Sequence, residues 1–511
     1  MRQVRVSATA VVVFFLGCIG FAVPAAAQSY DLVPLGGDGS LRAYAVNATG
    51  QSVGVSVSDD TTHAVRWQNE VYTDLHETVH FRLLHPELFN DNYSEAFGIS
   101  DGGQIVGGAQ KVIQCINVTG DITVMHGFLL RPSVLSDFGT PVPGDALTDL
   151  STLTGDWCAN LDSAATAISN RSHIVGWSDV NTSTAIHAFL IVPVNGQIGG
   201  TMTDLLTLDI AADPVSSASA VNDAGQITGY AYTTQNTNGN HGFHAYLITP
   251  QDTNADGVGD NWVVETTVGV NDLMQDLGTL GGTNSWGRDI NNNGVVVGES
   301  DTGAAANGKH NTHAFVWENG VMIDLGTLGG DNSSAASINN NGDIVGWSED
   351  ANGRRRAFIY TAGQMFDLNE QLVLVDAAGD PIVQTVFLSE ARSINDDGVV
   401  IGWGTAPTDP SGPTRAYMLR TTTPPVTPTP TDPSNPTSDP SNAVSNTPAG
   451  TPVTGTWQTP ADGATAGTAV DGETVGGSNG GGSSTSGLCG AGAAGFLPLA
   501  IGGLLLLRRP R

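Results

Sequence analysis

Three groups of residues in this chain could do chemistry: repeated histidines, a short acidic loop, and a few glutamates and aromatics recurring at one offset. Histidine opens five similar tripeptides, His63-Ala64-Val65, His126-Gly127-Phe128, His187-Ala188-Phe189, His244-Ala245-Tyr246 and His313-Ala314-Phe315. Imidazole is a common metal ligand and proton carrier. Two further copies begin with arginine instead, Arg356-Ala357-Phe358 and Arg415-Ala416-Tyr417, so the position is not an obligatory ligand. Copies spread round a repeat also stand too far apart to share one ion. Their expected role is to hold a neighbouring loop once per repeat. The acidic loop is Asp252-Thr253-Asn254-Ala255-Asp256-Gly257-Val258-Gly259-Asp260. Asp252, Asn254, Asp256, Val258 (through its carbonyl) and Asp260 stand where a calcium loop places oxygen donors, with Gly257 at the sharp turn. Val263 occupies the place of the usual bidentate acid, and the competing reading is a polar surface turn. Calcium is the one cofactor this sequence suggests.

These groups must be positioned by a repeat. An aliphatic residue is followed eight positions later by glycine in seven copies: Val46/Gly54, Ile99/Gly107, Ile168/Gly176, Val221/Gly229, Ile290/Gly298, Ile338/Gly346 and Ile394/Gly402. Each copy reads as an antiparallel hairpin turning through segments such as Asn291-Asn292-Asn293-Gly294, whose residues tolerate positive φ. The His/Arg tripeptide forms a third strand. A fourth carries Asp-Leu, at Asp74, Asp149, Asp204, Asp276, Asp324 and Asp367, six copies for seven hairpins. The missing copy lies at the other end of the chain, in Tyr30-Asp31-Leu32-Val33-Pro34-Leu35. The arithmetic predicts an all-β, seven-bladed β-propeller of four-stranded blades over residues 28–420, closed by pairing of residues 30–35 with 415–420.

The His-Ala-Phe tripeptide, the Ile-Asn-x-x-Gly hairpin and the Asp-Leu-Gly-Thr-Leu-Gly-Gly runs at 276–282 and 324–330 resemble the HAF family of bacterial extracellular repeats. That family is known by its repeat, so the resemblance implies a fold and an extracellular setting but no activity.

Topology then singles out side chains. The residue four before each aliphatic is placed near one mouth of the ring: Arg42, Glu95, Ala164, Ser217, Trp286, Ser334 and Glu390. Closure makes blades 7, 1 and 2 neighbours, so Glu390, Arg42 and Glu95 line one sector. The residue after the glycine is expected on the same face, giving Trp177, Tyr230, Trp347 and Trp403, flat surfaces for a sugar or peptide ligand. Interblade packing is the plainer role for each. A glycosidase needs two carboxylates, and Glu95 with Glu390 is the pair that topology brings forward. Arg42 between them is expected to keep both ionised, which disfavours a general acid.

Bulk properties narrow the setting. Nineteen Lys plus Arg stand against 50 Asp plus Glu, a formal charge of −31. Such a surface repels phosphate backbones, so no nucleic-acid partner is expected. Residues 1–27 read as a signal peptide, with Arg2 and Arg5 before an apolar run and Pro24-Ala25-Ala26-Ala27 at the cleavage site. Cys115 and Cys158 are expected to form a disulfide in the exported body, with two separate buried thiols as the alternative. Residues 421–488 are Pro/Thr/Ser-rich and then Gly/Ser-rich, the composition of an extended stalk. Leu488-Cys489-Gly490, an apolar stretch at 491–507 and Arg508-Arg509-Pro510-Arg511 close the chain. This order resembles the GlyGly-CTERM and MYXO-CTERM sorting signals of Gram-negative bacteria. The resemblance implies a dedicated sorting protease, with Cys489 as the processing or lipid-attachment position and residues 489–511 as a membrane anchor. The alternative is an uncleaved membrane tail, and both attach the body to the cell surface. The functional expectation is a surface-displayed binding or adhesion module for a glycan or protein ligand. A structural envelope protein and a polysaccharide-acting enzyme are the alternatives.

Overall fold

The computed structural model describes residues 28–58, 61–76, 93–114, 121–131, 147–153, 161–180, 185–193, 201–209, 215–233, 242–254, 259–303, 311–373 and 383–422. The expected signal peptide, stalk and anchor, and Cys115, Cys158 and Cys489, lie outside them. Among the described residues no helix is long and apolar enough to cross a membrane.

Seven four-stranded antiparallel sheets form the blades. Their first strands are Ser40–Val46, Ser94–Ile99, Ser163–Ile168, Ser216–Val221, Gly281–Ile290, Gly329–Ile338 and Phe387–Ile394. Each touches the first strand of the next blade, and that of blade 7 touches that of blade 1, so the seven line the central channel of a closed seven-bladed propeller. Blade 7 takes its fourth strand from the start of the described chain. Tyr30–Pro34 pairs antiparallel with Arg415–Thr421, from Tyr30 opposite Thr421 to Pro34 opposite Tyr417.

The register of that latch differs from the Asp-Leu expectation. Leu35 N–H donates to Ala416 O (3.0 Å), as Leu75 does to Ala64 and Leu325 to Ala314 in their own blades. Leu35 is therefore the counterpart of the repeated leucine. Pro34 takes the place of the repeated aspartate, and Asp31 lies three residues too early. The strand runs on because Tyr30 reaches the preceding blade, donating to Gln371 O (2.9 Å) and accepting from Val373 N (2.8 Å).

The repeated glycine has a steric cause. Each first strand carries a bulge, as where Ala43 faces Gly54 and Ala45 faces Val53, leaving Tyr44 without an opposite residue. The bulge pushes a first-strand carbonyl against the glycine. A Cβ on any of the seven would overlap the carbonyl oxygen of the residue four before the aliphatic, as on Gly346 with Ser334 O and on Gly402 with Glu390 O. The tripeptide aromatics close the same space: Phe128, Phe189, Tyr246, Phe315, Phe358 and Tyr417 are all fully buried.

Polar clamps join the blades. His63, His126, His187, His244 and His313 each place Nδ1 within 2.8–3.0 Å of the aspartate of the neighbouring fourth strand, and Arg356 does the same with Asp367 at 3.1 Å. That aspartate also accepts a backbone N–H two residues on, at 2.7 Å from Gly326 to Asp324 and 2.8 Å from Leu206 to Asp204, which fixes the turn. A serine of the next blade completes the junction: Ser333 Oγ donates to Gly326 O (2.6 Å) and accepts from Ala314 N (2.9 Å). The histidines thus hold loops in blades 1 to 5, and Arg356 does so in blade 6.

At the opposite ends of the first strands the hairpin turns form a belt. Asn291 Oδ1 accepts from Asn293 N and Val295 N while Nδ2 donates to Asn339 O of the next blade. Asn339 repeats the bond to Asn395, and Asn395 to Asn47 O (3.0 Å), across the junction of blades 7 and 1. Positive φ falls on Gly294 (φ 78°) alone in its turn, so the asparagines serve through their side chains.

Candidate functional site

The two sets of channel residues expected from the sequence prove to be one row on each blade. Ala164 pairs with Trp177, Ser217 with Tyr230, Trp286 with Glu299, Ser334 with Trp347 and Glu390 with Trp403. The tripeptide alanine lies beside the ring in the third strand, as Ala416 does for Trp403 and Ala357 for Trp347. Alanine there leaves room for an indole, and Trp177, Tyr230, Trp347 and Trp403 are all half-buried.

Blades 7, 1 and 2 bring Glu390, Arg42 and Glu95 together, with Arg42 close enough to both carboxyls for its charge to act on each. The Arg42 guanidinium lies over the Trp403 ring, 5.8 Å from its centroid. Tyr44 fills the space between blades, stacked on Phe97 and edge-on to Trp403, both at 5.9 Å. Tyr93 Oη donates to Glu95 Oε1 at 2.6 Å. Glu95 Oε2 and Arg42 Nε are buried without a hydrogen-bond partner.

Burial works against the expectation that Arg42 keeps both carboxyls ionised. Burial pushes Glu95 up to about 7, against the Tyr93 hydrogen bond and the Arg42 charge. Burial also raises Glu390, although Arg392, Arg355 and Arg42 oppose it. Only 5 % of Glu95 and 6 % of Glu390 is exposed, and removing water costs these carboxylates more than the arginines return.

A consequence can be measured. Folded Glu95 keeps its proton up to about pH 7, whereas the unfolded chain releases it near 4.5. The native state holds the extra proton between those values, so stability falls as pH rises through that window and the contribution is gone above it. At roughly 1.4 kcal/mol per pH unit the loss is on the order of 3 kcal/mol. Glu95→Gln is permanently neutral, so it is expected to match the parent at pH 4.5 and to exceed its stability at pH 8. Urea unfolding at both pH values checks this, and equal stability at pH 8 refutes it.

Blades 5 and 6 extend the polar lining. Burial acts to raise Glu299, but the ion pair with Arg288, a hydrogen bond from Ser334 and the Arg392 charge together hold the carboxyl below its usual range. Arg355 lies 3.7 Å over the centroid of Trp347 and reaches Glu390 Oε2 at 3.8 Å. Tyr230 borders this group, where the Arg288 charge acts on it; it stands edge-on to Phe243 at 5.5 Å, and Phe243 in turn leans on Trp286 at 6.4 Å. Trp177 lies on blade 3 opposite Ala164. Sequence reasoning missed Tyr44, Phe97, Arg288, Arg392, Glu299 and Arg355.

Of the acidic loop, Asp252, Asn254 and Asp260 are described, while Asp256 and Val258 lie outside the described residues. The Asp260 carboxylate accepts from Thr253 N (2.9 Å) and Thr253 Oγ1 (2.8 Å). Among the described residues no group of three or more His, Cys, Asp or Glu is placed to hold a metal. The sequence also contains His76-Glu77-Thr78-Val79-His80, a zinc-protease spacing when it lies on a helix. His76 follows the fourth strand of blade 1 in a turn, its N–H bonded to Asp74 (2.8 Å) and its ring stacked on His63 at 4.3 Å. Glu77 and His80 lie outside the described residues.

Residues 212–411, from blade 4 into blade 7, match a family described as a protein of unknown function, DUF3466. No curated protein matches the chain. Solved structures with similar folds include a puromycin-hydrolyzing peptidase of Mycobacterium tuberculosis (12 % identity, TM-score 0.36, covering 74 % of this chain and 51 % of that one). The chain thus spans about half the length of that peptidase. A gluconolactonase of Xanthomonas campestris is 12 % identical (TM-score 0.29, 77 % of this chain and 98 % of that one). TolB of Acinetobacter baumannii is also 12 % identical (TM-score 0.28, 73 % and 82 %).

Proposed function

We propose that this protein is an exported, surface-tethered HAF-repeat propeller that binds a glycan in the channel sector of blades 7, 1 and 2. One observation carries the reading. Three half-buried aromatic faces, Tyr44, Phe97 and Trp403, stand beside two buried polar atoms, Glu95 Oε2 and Arg42 Nε, that the fold leaves unpaired. Buried polar atoms are ordinarily satisfied, and a sugar hydroxyl stacked over an indole supplies the missing partners. The leader, the stalk and Cys489 support display at the cell surface, as the sequence suggests, and calcium at the 252–260 loop belongs to the same proposal. Trp403→Ala is expected to lower affinity for the bound glycan about fivefold or more on a glycan array, taking ring stacking on an aromatic at about the 1–3 kcal/mol found for bases. Val321→Ala, on an exposed strand, serves as the neutral control. Unchanged binding by the Trp403 variant removes this face, and no binding by the parent leaves a structural envelope role.

A polysaccharide-acting enzyme is the second reading, favoured by the raised Glu95 carboxyl, which keeps a proton near neutrality as a general acid must. Turnover that disappears in Glu95→Gln while binding persists would establish it.

A further inference from the structure

The channel gathers arginines in an acidic protein. Four of the twelve arginines between residues 28 and 420, Arg42, Arg288, Arg355 and Arg392, gather round it in a chain of formal charge −31. Arg288 and Arg355 have carboxylate partners. Arg392 does not: half-buried in the first strand of blade 7, it forms no ion pair among the described residues, although its charge is felt by Glu390, Glu299 and Asp289. Arg42 is likewise free of any ion pair there, and its Nε is buried without a partner. Arg42 bonds the Tyr44 side chain, but keeping two guanidiniums without an ion pair beside half-buried rings is costly unless something else supplies the anion.

Resting on the glycan-binding reading, we propose that the ligand is an acidic, uronate-bearing oligosaccharide whose carboxylate is taken by Arg392 and Arg42 while a sugar ring stacks on Trp403. Guanidinium is suited to this because its planar donors match a carboxylate in pairs. The aromatic row runs through several blades, at Trp286, Trp347 and Trp403, which fits an extended polymer better than the single carboxylate of a peptide terminus.

The test is calorimetric titration of the whole chain at pH 6 with oligomers of galacturonate, glucuronate and mannuronate, each beside its methyl ester, and with an oligoglutamate peptide. At least one uronate is expected to bind tenfold or more tighter than its ester, with affinity falling as salt rises. Arg392→Gln is expected to abolish that preference in a chain that still folds, since Arg392 makes no ion pair among the described residues and acts on Glu390, Glu299 and Asp289 only through its charge. Arg392→Lys is expected to keep part of it. Trp403→Ala is expected to weaken acid and ester alike. Equal binding of acid and ester, or an Arg392→Gln variant that still discriminates, overturns the acidic ligand while leaving glycan binding standing. Oligoglutamate binding as tightly as the best uronate moves the ligand to an acidic peptide and overturns the proposal. Binding of neither sugar form removes the glycan reading with it.

Discussion

Replacing Gly346 by alanine is expected to destabilise the protein by about 4 kcal/mol or more, among the largest single-methyl effects a domain shows. The added Cβ would overlap the Ser334 carbonyl oxygen and meet the Phe358 ring at 3.0 Å. Neither neighbour can give way. The carbonyl belongs to the bulge where Ala335 faces Gly346 and Ser337 faces Val345, and Phe358 is wholly buried in its sheet. The comparison is Gly353→Ala, at φ +72° with nothing within 4 Å of the new atom. That change pays only backbone strain, about 1–2 kcal/mol. Urea unfolding of both variants separates the causes. If the two cost the same, glycine recurs for conformational freedom and the close approach of carbonyl to glycine is not what selects it.

The same contact explains why so much of the fold could be read from the chain. A bulge repeated in seven first strands needs a residue without a side chain eight positions after each aliphatic, so the blade count is written as a spacing. The latch could be counted because one Asp-Leu copy is missing. Its register could not. Asp31-Leu32 and Pro34-Leu35 both offer an apolar residue to the core, and the choice is made by Tyr30, whose backbone bonds to Gln371 and Val373 of blade 6. That pairing is tertiary and leaves no local mark.

The site was half legible for a related reason. Strand alternation located Arg42, Glu95 and Glu390, and register confirmed that each faces the residue after its glycine, Val55, Gly108 and Trp403. The bulged residues Tyr44, Phe97, Arg288 and Arg392 were missed, because a bulge is a property of two paired strands. A signal was nevertheless present. The position two before each aliphatic changes in almost every copy, through Tyr44, Phe97, Thr166, Ser219, Arg288, Ala336 and Arg392, while its preceding neighbour is always alanine or glycine. Variation beside a position fixed as alanine or glycine marks a side chain that the hairpin itself does not dictate. The protonation of Glu95 was misjudged for a simpler reason: sequence names the charges near a carboxyl but not the water taken from it.

Deleting residues 28–36 is expected to be as damaging as the glycine change, and the outcome tests closure itself. Tyr30 is fully buried among Ala357, Leu368, Val386 and Leu419, and Leu35 among Trp67, Ala416 and Met418, so the latch ties blade 7 to blade 6 on one side and to blade 1 on the other. Losing these two side chains alone removes on the order of 4 kcal/mol of apolar burial. It also uncovers the edge of Arg415–Thr421 along a full row of ladder bonds. The truncated chain is expected to unfold at least 10 °C below the parent, or to aggregate through the bare edge. A permuted chain distinguishes a missing strand from a merely shortened one. Tyr30 stands directly opposite Thr421, so a tight turn can join residue 422 to residue 29, with the new start at Gly37 and residues 423–511 moved behind Gly36. In that order the fourth strand of blade 7 follows its third, as in the other six blades. Recovery of the parent melting temperature by the permuted chain, with none in the truncated one, is the expected pair of results. A truncated chain that melts with the parent would mean that the ring holds without its latch, and that the Tyr30–Pro34 pairing is ornament to a blade already closed by three strands.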